Sequence, residues 1–88
     1  MTRAEVEIRN ELGLHLRAAG TFVRTASRFK AQIRVGTEGI GAVDGKSILG
    51  LVTLGTAQGA TLEISADGPD ETEAVRALVE LVESGFGE

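Results

Sequence analysis

Three stretches of the chain alternate between apolar and polar residues with a period of two. In residues 2–8, Ala4, Val6 and Ile8 fall on one side and Arg3, Glu5 and Glu7 on the other. Ile33 and Val35 alternate with Gln32 and Arg34, and Leu62, Ile64 and Ala66 alternate with Thr61, Glu63 and Ser65. Such alternation belongs to strands with one face in a core and one in water. The sheet is therefore expected to carry helices on one side only, which makes a two-layer α+β domain.

The intervening residues supply those helices. From Leu16 to about Phe29, the apolar positions Ala19, Phe22, Val23, Ala26 and Phe29 recur on one helical face. Arg24, Arg28 and Lys30 collect at its far end, where the helix dipole favours cations. Gly20 lies inside this helix at a cost of about 1 kcal/mol against Ala. Thr37-Glu38-Gly39 reads as a turn, Ile40 to Val43 as a short third strand, and Asp44-Gly45 as a break. Ser47, a preferred N-cap, opens a brief helix to about Leu54. After Thr61–Ala66, the turn Asp67-Gly68-Pro69-Asp70 leads into a last helix with Glu71 and Glu73 in its first turn. Its stripe is Val75, Leu78, Val79 and Val82, closed by Gly85. The order is β-α-β-β-α-β-α, without repeats or linkers, so residues 1–88 are expected to form a single domain.

Composition narrows the function classes. The chain has no cysteine and one histidine, which leaves no disulfide framework and no ordinary zinc site. No metal or cofactor is expected. A net charge of −4 without Trp or Tyr does not suit nucleic-acid binding, which wants basic surface and stacking rings. No apolar run reaches membrane-spanning length and residues 1–5 lack a signal-peptide core, so a cytoplasmic protein is expected.

The single histidine stands in Asn10-Glu11-Leu12-Gly13-Leu14-His15-Leu16-Arg17-Ala18-Ala19. A short loop precedes it and the first helix follows. An anion on the ring would meet the backbone amides of Leu16 and Arg17 and the positive end of the helix dipole. Arg17 adds a charged fork suited to phosphate oxygens, although a cation in a first turn opposes the dipole. A nucleophilic ring, an anion site and an arginine within three residues make a small phosphoryl-transfer centre. By itself the stretch fits a surface or capping histidine equally, the commoner fate of a lone histidine before a helix.

The middle helix is apolar nearly all round. Leu51 and Leu54, one turn apart, are assigned inward. Ile48, Leu49 and Val52 then form an exposed apolar patch, the mark of a partner surface unless a loop covers it.

Two of these segments, Asn10 to Ala19 and Gly45-Lys46-Ser47-Ile48-Leu49-Gly50, resemble the HPr family, the histidine-containing phosphocarriers of the bacterial phosphotransferase system. The likeness extends to Thr53-Leu54-Gly55, Ile64-Ser65-Ala66-Asp67-Gly68 and Gly85-Phe86-Gly87-Glu88, and so over nearly the whole chain. The resemblance implies an open-faced sandwich, a four-stranded antiparallel sheet in the order 1-4-2-3 covered on one face by three helices. It implies that His15 accepts a phosphoryl group at Nδ1 from enzyme I, which took it from phosphoenolpyruvate, and passes it to an EIIA-type protein. Arg17 matches the family's active-site arginine. Ser47 matches the serine that a dedicated kinase phosphorylates in many members, and Ile48, Leu49 and Val52 match the docking surface, to which the bulky Leu16 adds. The expected protein is a monomeric, stoichiometric carrier and not an enzyme.

The usual His-Ala-Arg-Pro-Ala motif reads His15-Leu16-Arg17-Ala18-Ala19 here. Ala18 restores an N–H that proline lacks and leaves the first turn less rigid. Members of the nitrogen-regulatory branch can also lack this proline, so sugar and nitrogen branches both stay open. Two rival readings remain. One is a nitrogen-type or kinase-regulated binding module without sugar transport. The other is a ferredoxin-like enzyme of acylphosphatase type, disfavoured by the short middle helix and the extra last one.

Overall fold

The computed structural model describes residues 1–38 and 40–88. The elements run β1 (Thr2–Glu7), α1 (Leu16–Ala26), β2 (Gln32–Thr37), β3 (Ile40–Asp44), α2 (Ile48–Leu54), β4 (Thr61–Asp67) and α3 (Glu71–Glu83). Gly39, read above as the end of a turn, lies outside the described residues. The strands form one antiparallel sheet in the order β1-β4-β2-β3.

The alternation decides which way this sheet faces. Ile64 of β4 stands opposite Ala4 of β1 on one side and Val35 of β2 on the other, so the apolar sets of three strands share a face. The helices cover it: α3 packs on β1 and β4, α2 on β2 and β3, and α1 against both other helices. Phe22 of α1, Leu51 of α2 and Leu78 of α3 are fully buried over Ile33, Leu62 and Ile64. The polar residues Arg3, Glu5, Glu7, Arg34 and Glu63 remain exposed on the open face.

Several boundaries differ from expectation, each for a local reason. Helix α1 stops at Ala26 and does not reach Phe29. The amides of Arg28 and Phe29 bond to the carbonyls of Thr25 and Ala26, at 3.2 and 3.1 Å, which tightens the chain out of the α-helix. Asp70 then accepts the amides of Lys30 and Ala31, at 2.8 and 2.9 Å, and turns the chain into β2. These two bonds, the Lys30 contact foremost, hold the Asp70 carboxyl below the usual carboxylate range against the opposing effect of desolvation. Phe29, Val23 and Val79 are only half-buried, while Ala18 and Ala74 join the core. Thr37 belongs to β2 and not to the turn, paired with Leu62 and Ile40. Ile8 lies past the end of β1 yet stays in the core, its amide bonded to Ala60 at 2.8 Å. Gly20 has no tight contact: an added Cβ would find Arg24 at 3.8 Å, an ordinary distance.

Candidate functional site

His15 is the N-cap of α1, in extended backbone conformation with φ −81° and ψ −179°. Its Nδ1 accepts the amide N–H of Arg17 at 3.2 Å. A backbone amide only donates, so in this arrangement Nδ1 carries the ring's lone pair and the proton sits on Nε2. Nε2 faces the Glu88 carboxylate at 2.5 Å, and the two side chains are each 25% exposed. Histidine is thus both a helix cap and a ring with an oriented lone pair.

Asn10 joins these groups. Its Nδ2 donates to the carbonyl of Gly13 at 2.7 Å and to Glu88 Oε1 at 2.9 Å. Burial pushes the Glu88 carboxyl up. The Asn10 amide, the His15 ring and the Arg17 charge together outweigh burial and leave the carboxyl below its ordinary range. Gly13 makes the loop possible. Its φ is +66°, and a Cβ there would lie 2.4 Å from the Thr56 carbonyl oxygen and 2.8 Å from Ala57 Cα. The loop therefore lies flush on the segment after α2, with Leu14 buried as its anchor.

Of the two amides expected at the ring, that of Arg17 makes the contact. The Arg17 side chain is exposed, and it borders a shallow depression shared with Leu12, Arg24 and Glu88. Leu16 follows His15 with its side chain in solvent. Ala18 is completely buried, so this position is a packing contact of α1 as well as a first-turn residue.

Ser47 is the N-cap of α2, its Oγ accepting the Gly50 amide at 3.0 Å. The faces of α2 are as assigned from the sequence: Leu51 and Leu54 are buried, while Ile48, Leu49 and Val52 are exposed, Leu49 at 77%. Two residues at the site escaped the sequence reading. Leu12, 72% exposed, adds an apolar side chain to the depression that Arg17 and Glu88 border; a loop residue has no periodicity to reveal its direction. Glu88 stands 73 positions from His15, and no local pattern announces such a contact. Among the described residues, no group of three or more His, Cys, Asp or Glu is placed to hold a metal, and no helix is long and apolar enough to cross a membrane.

Comparison with known proteins agrees with this architecture. The family described as "PTS HPr component phosphorylation site" matches residues 2–84. The phosphocarrier protein HPr of Neisseria meningitidis serogroup A is 48% identical over 100% of this chain and 98% of its own length. The HPr-like protein Crh of Halalkalibacterium halodurans is 37% identical over 94% of this chain and 98% of its own. Among solved structures, HPr-C-His from Thermoanaerobacter tengcongensis superposes with a TM-score of 0.94 at 49% identity, covering 100% of this chain and 98% of the other. On matches of this length and identity, the chain belongs to the HPr family of phosphocarrier proteins of the phosphotransferase system.

Proposed function

We propose that residues 1–88 act as one unit that accepts a phosphoryl group on His15 Nδ1 from enzyme I, charged by phosphoenolpyruvate, and passes it to an EIIA-type protein. The observation that carries this reading is the direction of the ring. Nδ1 presents its lone pair at the N-terminus of α1 and accepts the Arg17 amide. Phosphoryl transfer through a loose, in-line transition state asks mainly for positioning and charge stabilisation. The Arg17 N–H that now meets Nδ1 is placed to turn to a phosphoryl oxygen, and the Arg17 side chain can reach the others. Leu16, Ile48, Leu49 and Val52, with Leu12, offer apolar surface for donor and acceptor proteins. The protein is a stoichiometric carrier and not an enzyme, and it works as a cytoplasmic monomer.

The test is incubation with enzyme I and phosphoenolpyruvate. One acid-labile, base-stable phosphate per chain is expected, and none on a folded His15→Ala variant. Uptake by that variant would sink the assignment.

The likeness to an HPr-like protein Crh supports a second reading, in which a serine kinase acting on Ser47 controls docking and no sugar is moved. Transfer from phosphorylated protein to a sugar-specific EIIA separates the two.

A further inference from the structure

We propose that Glu88 is a positioning residue for His15. It anchors the Nε2–H side of a ring whose Nδ1 meets the Arg17 amide, and it pairs with the positive charge the ring acquires when Nδ1 is phosphorylated. The proposal rests on the carrier reading above.

The segment that delivers this carboxylate is unusual. After α3 the chain winds through three consecutive residues of positive φ: Gly85 at 73°, Phe86 at 60° and Gly87 at 78°. A positive φ is uncommon for a residue such as phenylalanine and persists only where the surroundings enforce it. Here they do. Phe86 is buried in the core, its amide donates to the Leu81 carbonyl at 2.9 Å, and the Glu88 amide donates to the Gly85 carbonyl at 3.1 Å. This left-handed winding carries the chain from the end of α3 to the loop before α1, where a Cβ on Gly85 would lie 3.6 Å from Asn10 Cβ. At its far side the Glu88 carboxylate receives two donors, Asn10 Nδ2 and His15 Nε2. Asn10 fixes the carboxylate, and the carboxylate fixes the ring.

The chemistry gives this contact a use. The Nδ1 lone pair forms the new N–P bond, and the donor atom keeps the electron pair of the bond that breaks. No proton leaves His15, because the ring proton is already on Nε2, so the step needs no base. The product ring is a phosphorylated imidazolium whose remaining N–H still points at Glu88. A charge-assisted hydrogen bond between cation and carboxylate is stronger than one from a neutral ring. Glu88 therefore stabilises the phosphorylated state more than the resting one.

The test compares wild type, Glu88→Gln and Glu88→Ala, each 15N-labelled at the histidine ring. Glu88→Gln keeps an acceptor for Nε2–H and removes the charge; Glu88→Ala removes both. The ring shifts of Glu88→Gln should match wild type, and in Glu88→Ala the Nε2 shift should move as its hydrogen bond passes to water, while the Arg17 amide keeps the lone pair on Nδ1. At a fixed phosphorylated fraction of enzyme I, the equilibrium ratio of phosphorylated to free protein should fall about five-fold in Glu88→Gln, the upper end for a partly exposed ion pair. Ring shifts in Glu88→Ala identical to wild type overturn the proposal, and so does an unchanged ratio in Glu88→Gln. If wild type itself takes no phosphate from enzyme I, the carrier reading fails, and the ring shifts alone then decide the role of Glu88.

Discussion

The amide of Leu14 donates to the carbonyl of Thr56 at 3.0 Å, and this bond seats the histidine loop on the segment that follows α2. The residue before it, Gly13, has its Cα against that same carbonyl. Gly13→Ala would force a Cβ into backbone atoms and strain a positive φ together. We expect a loss of about 2 kcal/mol, read by urea unfolding. A variant as stable as wild type would mean that the loop can lift off the Thr56 segment without cost.

Arg17→Ala should slow transfer more than it weakens the fold, because the side chain is exposed. A lost charge-assisted phosphate contact is worth roughly 1.5–3 kcal/mol, or about 10–100-fold in rate. Rates of His15 phosphorylation and of onward transfer measure it. Wild-type rates in both directions would leave Arg17 as a solvated helix residue.

Leu49→Asp should change stability by less than about 1 kcal/mol, since the side chain is 77% exposed. It should weaken binding of enzyme I, measured by titration calorimetry. Undiminished binding would place the docking surface elsewhere.

Ser47 both caps α2 and borders Ile48 and Leu49. A phosphate at this helix N-terminus is favoured by the dipole, so the helix should not melt. The effect falls on docking, because a partner covering the apolar patch must desolvate the new charge. Ser47→Asp should therefore keep the fold and slow phosphorylation of His15 by enzyme I. Ser47→Ala should lose about 1 kcal/mol through the missing Gly50 contact and react at the normal rate. Equal rates in wild type and both variants would reduce Ser47 to a cap.

Acid should unfold the protein partly through Glu71. The Thr2 hydroxyl donates to its carboxylate at 2.7 Å, and with the Met1 amino group and the Gly68 amide it holds the carboxyl at about 2, against an ordinary 4.5. The unfolded chain binds the proton first on acidification, so between those values stability rises with pH. The contribution is whole above about pH 5 and disappears as pH falls toward 2. Glu71→Gln should flatten this part of the stability profile in pH-dependent thermal melts. An identical profile would show that the contact persists in the unfolded chain or is absent in solution.

Local periodicity carried most of the architecture in the sequence itself. The period-two alternation of Val6, Leu62 and Ile64, the helical stripe of α3, and the caps at Ser47 and Gly85 each depend on residues a few positions apart. The two faces of α2 were legible for the same reason, as were His15 and Arg17 at a helix start. The strand order 1-4-2-3 came from family likeness and not from periodicity, since alternation states that a strand has an inner face and not which strand lies beside it.

Tertiary structure decided what depends on distant neighbours. Helix α1 ends at Ala26 as the chain tightens, and the Asp70 carboxylate, 40 positions from Lys30, takes that residue's amide and turns the chain into β2. Helical periodicity through Phe29 could not foresee that contact. Leu12 points to solvent because Gly13 and Leu14 are held down on Thr56 and Ala57. The Glu88 carboxylate meets His15 Nε2 across 73 positions, at the end of a left-handed winding whose Phe86 is buried in the core. Local sequence singled out the ring; packing set the partner of each of its two nitrogens, the Arg17 amide at Nδ1 and Glu88 at Nε2.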